Sequence, residues 1–557
     1  MVSRILERLT APVRGLHQAA YLLAALTLAS QILALARDRI FAHSFGAGET
    51  LDLYYAAFKI PDLVFALIAS LVSAYVLIPR IAHASTEESR KLLSHTTSFL
   101  IVAGGLASIV LAIIAPSFLF LLFPNFKGTE HAGEFVFLAR LLLVQPILLG
   151  LSGILTSVTQ IHRRFVLFAL SPVLYNLGII LGTLVLYPVL GLPGIGIGVV
   201  IGAVLHLAIH IPIVLGAGLF PRFTIPSPKI IWSVMRDSVP RSLALAMGSV
   251  TTLVLTSLAS NTGTGGISIF TLAGNLEAVP LSLIGASYAT AAFPVLAEHM
   301  NAKRFDEFRA TITAAARHLI FWSTVISVLV IILRAHLVRI LLGSGAFDWN
   351  DTRLTAAVLA LLVVALTAQG FILLASRAFY AAQRSWNPLI IQLGGVLVSG
   401  ATAFGMITLA HYVPQVRYFF EALFRVEDVP GTDILFIALG ATVGQLVMGV
   451  VAAVTLGVVA PKVVSGLVKP FFDALAAAIL GGTAAYGALT LMGNIAHLTS
   501  LFAVFTQAAV AGMVGLAEAA AVLILLENQE FRDVYESLRK LTSFRALKPN
   551  AAADIQS

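Results

Sequence analysis

ARDRIFAHSFGAGETLDLYYAAFKIPDL, residues 36–63, places Arg37, Asp38, Arg39, Asp52, Lys59 and Asp62 at the junction of two long apolar stretches. The surrounding chain is poor in charge, so these groups stand out. An ionisable side chain at membrane depth costs several kcal/mol unless it faces a polar cavity or a partner. The stretch is therefore read as part of a polar path through an otherwise apolar protein.

Composition supports that reading. Of 557 residues, 59% are apolar and 11% charged, against roughly 25% charged in an ordinary soluble domain. Mean hydropathy is +0.95. Backbone groups in lipid must be satisfied internally, which leaves helices or closed barrels; the apolar runs are long enough for helices and lack the alternation of barrel strands. The expected fold is an all-α integral membrane protein. A net charge of +8 and a pI near 9.7 fit basic loops on one side of a membrane, and nucleic acid is not an expected partner. Cysteine is absent, which removes disulfides, thiolate metal ligands and thiol nucleophiles.

Charged and Pro/Gly-rich breaks divide the chain into about fourteen expected spans, near 17–41, 51–79, 92–122, 134–159, 165–187, 194–217, 232–259, 267–296, 311–342, 354–381, 388–410, 432–459, 467–492 and 498–526. Most Lys and Arg fall in the N-terminus, the even-numbered connections and the tail, while the odd connections carry Arg37, Arg39, Lys127, Arg334, Arg339, Arg353, Arg417 and Arg425. By the positive-inside rule both termini are expected in the cytoplasm, with the 36–63 cluster in the outer half. The connection 411–432 is expected to hold a short interfacial helix, and a short helix with a frayed end is expected after Glu527. Gly194, Gly198 and Gly202, with Gly178/Gly182 and Gly440/Gly444, are spaced for close helix packing. Pro240, Pro280 and the turn at 263–266 are candidate hinges.

Other chemistries find no support in the sequence. NTGTGG at 261–266 lacks the lysine of a phosphate-binding loop. His206 and His210 stand at i, i+4 without a carboxylate or HExxH context, so packing or cavity-facing roles are favoured over metal binding. GASYA at 285–289 is not a nucleophile elbow. Transport or scaffolding remains, and no cofactor is expected.

Four segments in order resemble the MurJ/MviN lipid II flippases of the multidrug/oligosaccharidyl-lipid/polysaccharide exporter superfamily. These are residues 36–62, RRFVLFALSPVLYNLGIILG (163–182), GSGAFDWNDT (343–352) and SRAFYAAQRSWNP (376–388). The resemblance implies two six-helix lobes, 1–217 and 218–460, in a V around a central cationic cavity. It further implies a prenyl-tail groove from spans 13 and 14 (461–526) and a cytoplasmic tail (527–557). The implied cargo is lipid II, an undecaprenyl-pyrophosphate carrying a disaccharide-pentapeptide, moved from the inner to the outer leaflet of the bacterial cytoplasmic membrane. Membrane lipids and cell-wall synthesis proteins are the other implied partners, and coupling to membrane potential or to a monovalent cation is left open.

Arg37, Asp38, Asp52 and Lys59 match charged positions of the family. Gln31, Phe65 and Asn275 stand where it has cavity arginines, and Glu277 is one residue out of register with an acidic position. Arg384 replaces an acid of the tenth-to-eleventh connection, leaving Asp237 as a weak candidate for a coupling cation. The expected substrate cavity thus comprises Arg37, Asp38, Asp52, Lys59, Asn275, Glu277 and Gln31. Arg37 and Asp38 could instead be an interfacial ion pair, and Lys59 could snorkel. Another prenyl-linked glycan, or a scaffold role in wall synthesis, are the alternative functions.

Overall fold

A computed structural model describes residues 16–544 except 73, 83, 494 and 496–499; side chains are described from residue 26 onward, apart from 75, 237, 537, 538 and 540–544. Among the described residues every regular element is helical. Twelve helical stretches among them are long and apolar enough to cross a membrane, or thirteen if Trp349–Val363 and Leu366–Ala381, which meet at 47°, form one broken span. The expected count of about fourteen is thus not established. Helix Leu16–Phe45 lies where the first span was expected, but its opening turns fall outside the described side chains. Arg4, Arg8, Arg14 and the frayed end after 544 also lie outside the described residues.

The expected second span is not one continuous helix. It is built from Glu49–Ala57, Lys59–Leu67, a 3-10 turn at Ala69–Val72 and Ala74–Ile81. Pro61 and Pro79 each lack the N–H that an unbroken ladder requires. The break at Phe58 starts a new helix at Lys59 and sets Lys59 and Asp62 one turn apart on it. Pro240 lies inside an unbroken 32-residue helix, Pro228–Ala259, whereas Pro280 ends helix Gly266–Pro280 and a π-helical turn, Leu281–Ala286, follows.

The chain forms two compact units. One comprises 1–279, 341–362 and 385–448. Its core includes Leu77, Leu93, Leu100, Ile154, Val158 and Val214, and its tightest seam is made of glycine. A Cβ on Gly178 would lie 2.4 Å from Gly202 Cα, and one on Gly198 would lie 2.4 Å from Gly182 Cα. Helices Phe165–Leu181 and Leu192–Ala208 therefore meet backbone to backbone, as the i, i+4, i+8 spacing predicts. Gly198→Ala should cost about 2–3 kcal/mol, because overpacking here must move backbone rather than a rotamer. The check is the thermal midpoint in detergent; an unchanged midpoint would contradict this packing account.

The connection 411–432 contains helix Pro414–Phe424. Its far end is held by Arg353, which donates to both Asp428 oxygens at 2.9 and 2.6 Å and to the Arg425 carbonyl. Arg353 holds the Asp428 carboxyl below its ordinary range. A depressed carboxylate contributes above its unfolded pKa, so the clasp is intact at neutral pH and is lost as pH falls through the depressed value.

The other unit comprises 280–340, 363–384 and 449–557. Helices Val468–Met492 and Leu501–Leu525 pack closely at Gly481 and Gly515. The expected helix after Glu527 is present as Gln529–Phe544. Phe531 and Val534 pack beside Phe321, Val325 and Val522, while Arg317 pairs with Glu530 and His318 with Asp533. These contacts tie the last described helix to helix Phe305–Leu341.

Candidate functional site

Three polar assemblies lie within the first unit. In the first, Arg37 Nε and Nη2 both donate to Asp38 Oδ1, at 3.0 and 2.7 Å, and Nη1 donates to Asn176 Oδ1 at 3.0 Å. The other Asp38 oxygen accepts from Asn275 Nδ2 at 3.0 Å. Asn176 is fixed in turn by its own donation to the Pro172 carbonyl. Arg37 also lies over the Phe41 ring. Asp38 is 2% exposed. The pair thus carries no net charge inside the bundle, which is how a buried ionised group is made tolerable. Two of the guanidinium's five N–H donors stay outside these bonds.

The second assembly is a clamp. Asp52 Oδ2 accepts from the Gly265 N–H at 2.6 Å, and Oδ1 accepts from Ser268 N–H and Oγ–H at 2.7 and 2.6 Å. Gly265 and Ser268 belong to the opening turn of helix Gly266–Pro280. Asp52 therefore caps a helix distant in sequence, satisfying donors that a helix start leaves orphaned and placing negative charge at the positive end of its dipole. A second carboxylate repeats the device: Asp351 Oδ2 accepts from the Ala47 N–H at 3.1 Å, and Ala346 N–H donates to the His43 carbonyl at 2.9 Å. The glycines make this approach possible. Gly265 has φ +88° and a Cβ there would lie 2.1 Å from the Ala47 carbonyl oxygen, while Gly345, at φ +61°, passes against His43. Residues 43–52, 261–268 and 343–351 thereby lock together.

The third is a cavity of about 270 Å³ into which Lys59, Asp62, Phe65, Ser249 and Thr252 project. Lys59 is 9% exposed, with no hydrogen bond or ion pair to its ammonium among the described residues. Asp62, one turn on, supplies the nearby opposite charge.

The structure thus brings together Arg37, Asp38 and Asn275, puts Asp52 in a separate clamp and opens Lys59 onto a cavity. Gln31 is partly buried on helix Leu16–Phe45 and Glu277 is buried on helix Gly266–Pro280; neither lines the Lys59 cavity. Asp237 lies on helix Pro228–Ala259, but its side chain is outside the described residues. Arg384 is exposed. Asn176, Ser268, Ser249 and Thr252 were not picked out from the sequence, because single hydroxyls and amides in apolar helices carry no spacing signal; Asp351 was not because its partner, Ala47, is some three hundred residues away. His206 and His210 are packed and bonded, to Ser152 and to Thr156 and Thr159 respectively. Among the described residues no three His, Asp or Glu side chains converge as a metal site.

Known proteins resemble the chain over most of its length. The family model described as lipid II flippase MurJ matches residues 41–415, which takes in the clamp and the Lys59 cavity. The lipid II flippase MurJ of Burkholderia cenocepacia is 24% identical over 412 residues, covering 71% of this chain and 79% of that protein. A probable lipid II flippase MurJ of Thermotoga maritima is 25% identical over 477 residues, covering 80% and 94%. Among solved structures, a lipid II flippase MurJ in an inward closed conformation superposes with a TM-score of 0.72 at 20% identity, covering 91% of this chain and all of that one. An inward-facing MATE family transporter superposes at 0.60 and 16% identity, covering 82% and 98%. Together with the helical, multi-span architecture, the match over most of the chain shows that the protein belongs to the lipid II flippase MurJ family, a family of membrane transporters rather than enzymes.

Proposed function

We propose that this chain moves lipid II from the inner to the outer leaflet of the bacterial cytoplasmic membrane by alternating access. The observation that carries this is the family match across 41–415, the same residues that build the clamp and the cavity. A pyrophosphate and sugars do not cross about 30 Å of hydrocarbon unaided, whereas the prenyl tail can stay in lipid while the head group takes a polar route. In this reading the Asp52 clamp closes the outer end and must open for release. Its bonds are few, short and reversible, as a gate requires. Residues 1–217 and 218–460 act as the two lobes, 461–526 offer the tail groove, and both termini lie in the cytoplasm. Arg37, Asp38, Asn275, Glu277 and Gln31 border the head-group path, Asp52 works the gate, and Asp237 is the residue to test for cation coupling. The driving force would be membrane potential or a monovalent cation, and wall-synthesis proteins would be its partners in the cell.

A specific observation keeps a second cargo in play: with Arg37 neutralised by Asp38, and Gln31, Phe65 and Asn275 uncharged, the cavity beside helix Lys59–Leu67 carries a single cation, Lys59, among its lining residues. Another prenyl-linked glycan would suit that balance. The deciding experiment is depletion in cells followed by identification of the lipid-linked intermediate that accumulates. Lipid II accumulating on the inner leaflet is the expected result; a different prenyl-linked glycan would replace the cargo, and no accumulation of any such lipid would overturn transport.

A further inference from the structure

The Lys59 cavity has a composition that a site for diphosphate alone would not have. Asp62 opens on it together with Lys59, the hydroxyl residues Ser70, Ser249 and Thr252, and the apolar side chains Phe65, Ala66 and Leu245. A carboxylate one turn from the cation repels a phosphate group, and it also cancels much of the cation's attraction for one. The same carboxylate is a strong acceptor for sugar hydroxyls, the lysine is a donor, and the Thr252 hydroxyl, whose proton goes to the Gly248 carbonyl, adds an acceptor, which together suit a neutral polyol. Phe65, 41% exposed, offers an aromatic surface on which the apolar face of a pyranose ring can lie. The cavity, about 270 Å³ and open on one side, has room for a pyranose ring. Lys59 is nine-tenths buried and its ammonium has no hydrogen bond among the described residues, so a bound hydroxyl or amide oxygen would satisfy it.

We infer that this cavity is a sugar subsite: it holds one pyranose ring of the lipid-linked head group against Phe65, with Asp62, Lys59, Ser249 and Thr252 reading its polar substituents. Phe65 is then a specificity-determining residue, selecting glycan over bare prenyl pyrophosphate. The inference rests on the flippase reading above.

The test compares two ligands on the full chain in nanodiscs, lipid II and undecaprenyl pyrophosphate without sugars. Phe65→Ala and Phe65→Leu should each weaken lipid II binding about tenfold, equivalent to about 1.4 kcal/mol, and leave the sugar-free lipid within about twofold. Phe65→Tyr should keep both affinities. The Leu variant retains apolar volume, so a defect shared by Ala and Leu and absent in Tyr belongs to the aromatic face. Equal weakening of both ligands, or no weakening of lipid II, overturns the subsite. If the wild-type chain binds neither lipid, the flippase reading falls instead. In that case calorimetric titration of the wild type and of Phe65→Ala with N-acetylglucosamine decides this inference: saturable binding in the wild type that is weakened in Phe65→Ala supports it, and no binding, or equal binding to both, overturns it.

Discussion

Asp52→Asn should lower flipping about a hundredfold while the protein still inserts and folds. The carboxylate accepts three hydrogen bonds from Gly265 and Ser268, at 2.6–2.7 Å, and both of its oxygens are used. An asparagine offers one oxygen and one NH2, so one side of the clamp must set donor against donor. The variant also loses the charge that complements the start of helix Gly266–Pro280. Charge-assisted bonds contribute about 1.5–3 kcal/mol each, and losing one shifts the closed-to-open balance of the gate by roughly a hundredfold at about 2.7 kcal/mol. Gly265→Ala attacks the same closure by a different route, because its methyl would meet the Ala47 carbonyl at 2.1 Å from a left-handed backbone. The chain contains no cysteine, so Ile267→Cys, at a side chain fully buried in the closed clamp, gives a unique probe. Labelling by a membrane-impermeant thiol reagent should rise in both variants as the flipping rate in vesicles falls. Wild-type flipping and labelling in Asp52→Asn would remove the clamp from the mechanism.

The helical fold was legible because long apolar runs in lipid admit few solutions, and the glycine seam was legible because Gly178, Gly182, Gly198 and Gly202 repeat at helical spacing. The span count was less secure. It rests on where breaks fall, and a break at Phe58 and a 3-10 turn at Ala69–Val72 fragment one expected span while a 47° bend divides another. The site was legible as a charged island and not as an arrangement. NTGTGG at 261–266 reads correctly as a loop without a phosphate-binding lysine, yet its Gly265 N–H donates to Asp52, more than two hundred residues away. Local sequence cannot express such a pairing. Ser249 and Thr252 are invisible for a related reason: hydroxyls in apolar helices commonly bond their own i−4 carbonyl, as Thr252 does to Gly248, and only the tertiary fold shows which of them borders a cavity.

Arg37→Gln alone should reduce both stability and flipping strongly, and the double variant Arg37→Gln/Asp38→Asn should recover stability without recovering flipping. Removing one partner of a buried ion pair leaves the other charge uncompensated, at about 3–5 kcal/mol, whereas replacing both with neutral groups is far milder. In the single variant Asp38 keeps Asn275 as a donor but loses its counter-charge. In the double variant the two introduced amides can exchange neutral hydrogen bonds with each other, and Asn176 and Asn275 stay within reach of amide partners. Stability alone would therefore predict that function returns with the fold. If the two guanidinium donors left over from Asp38 and Asn176 meet the passing pyrophosphate, function does not return, because an amide gives weaker and uncharged bonds to phosphate than a guanidinium fork. Thermal midpoint and flipping rate, measured on the wild type, both single variants and the double variant, separate these outcomes. A double variant that is stable and flips at the wild-type rate would make Arg37–Asp38 a structural pair and leave head-group recognition to the Lys59 cavity. A stable double variant that does not flip would put Arg37 on the path of the cargo, with Asp38 serving to hold and partly neutralise it until the phosphate arrives.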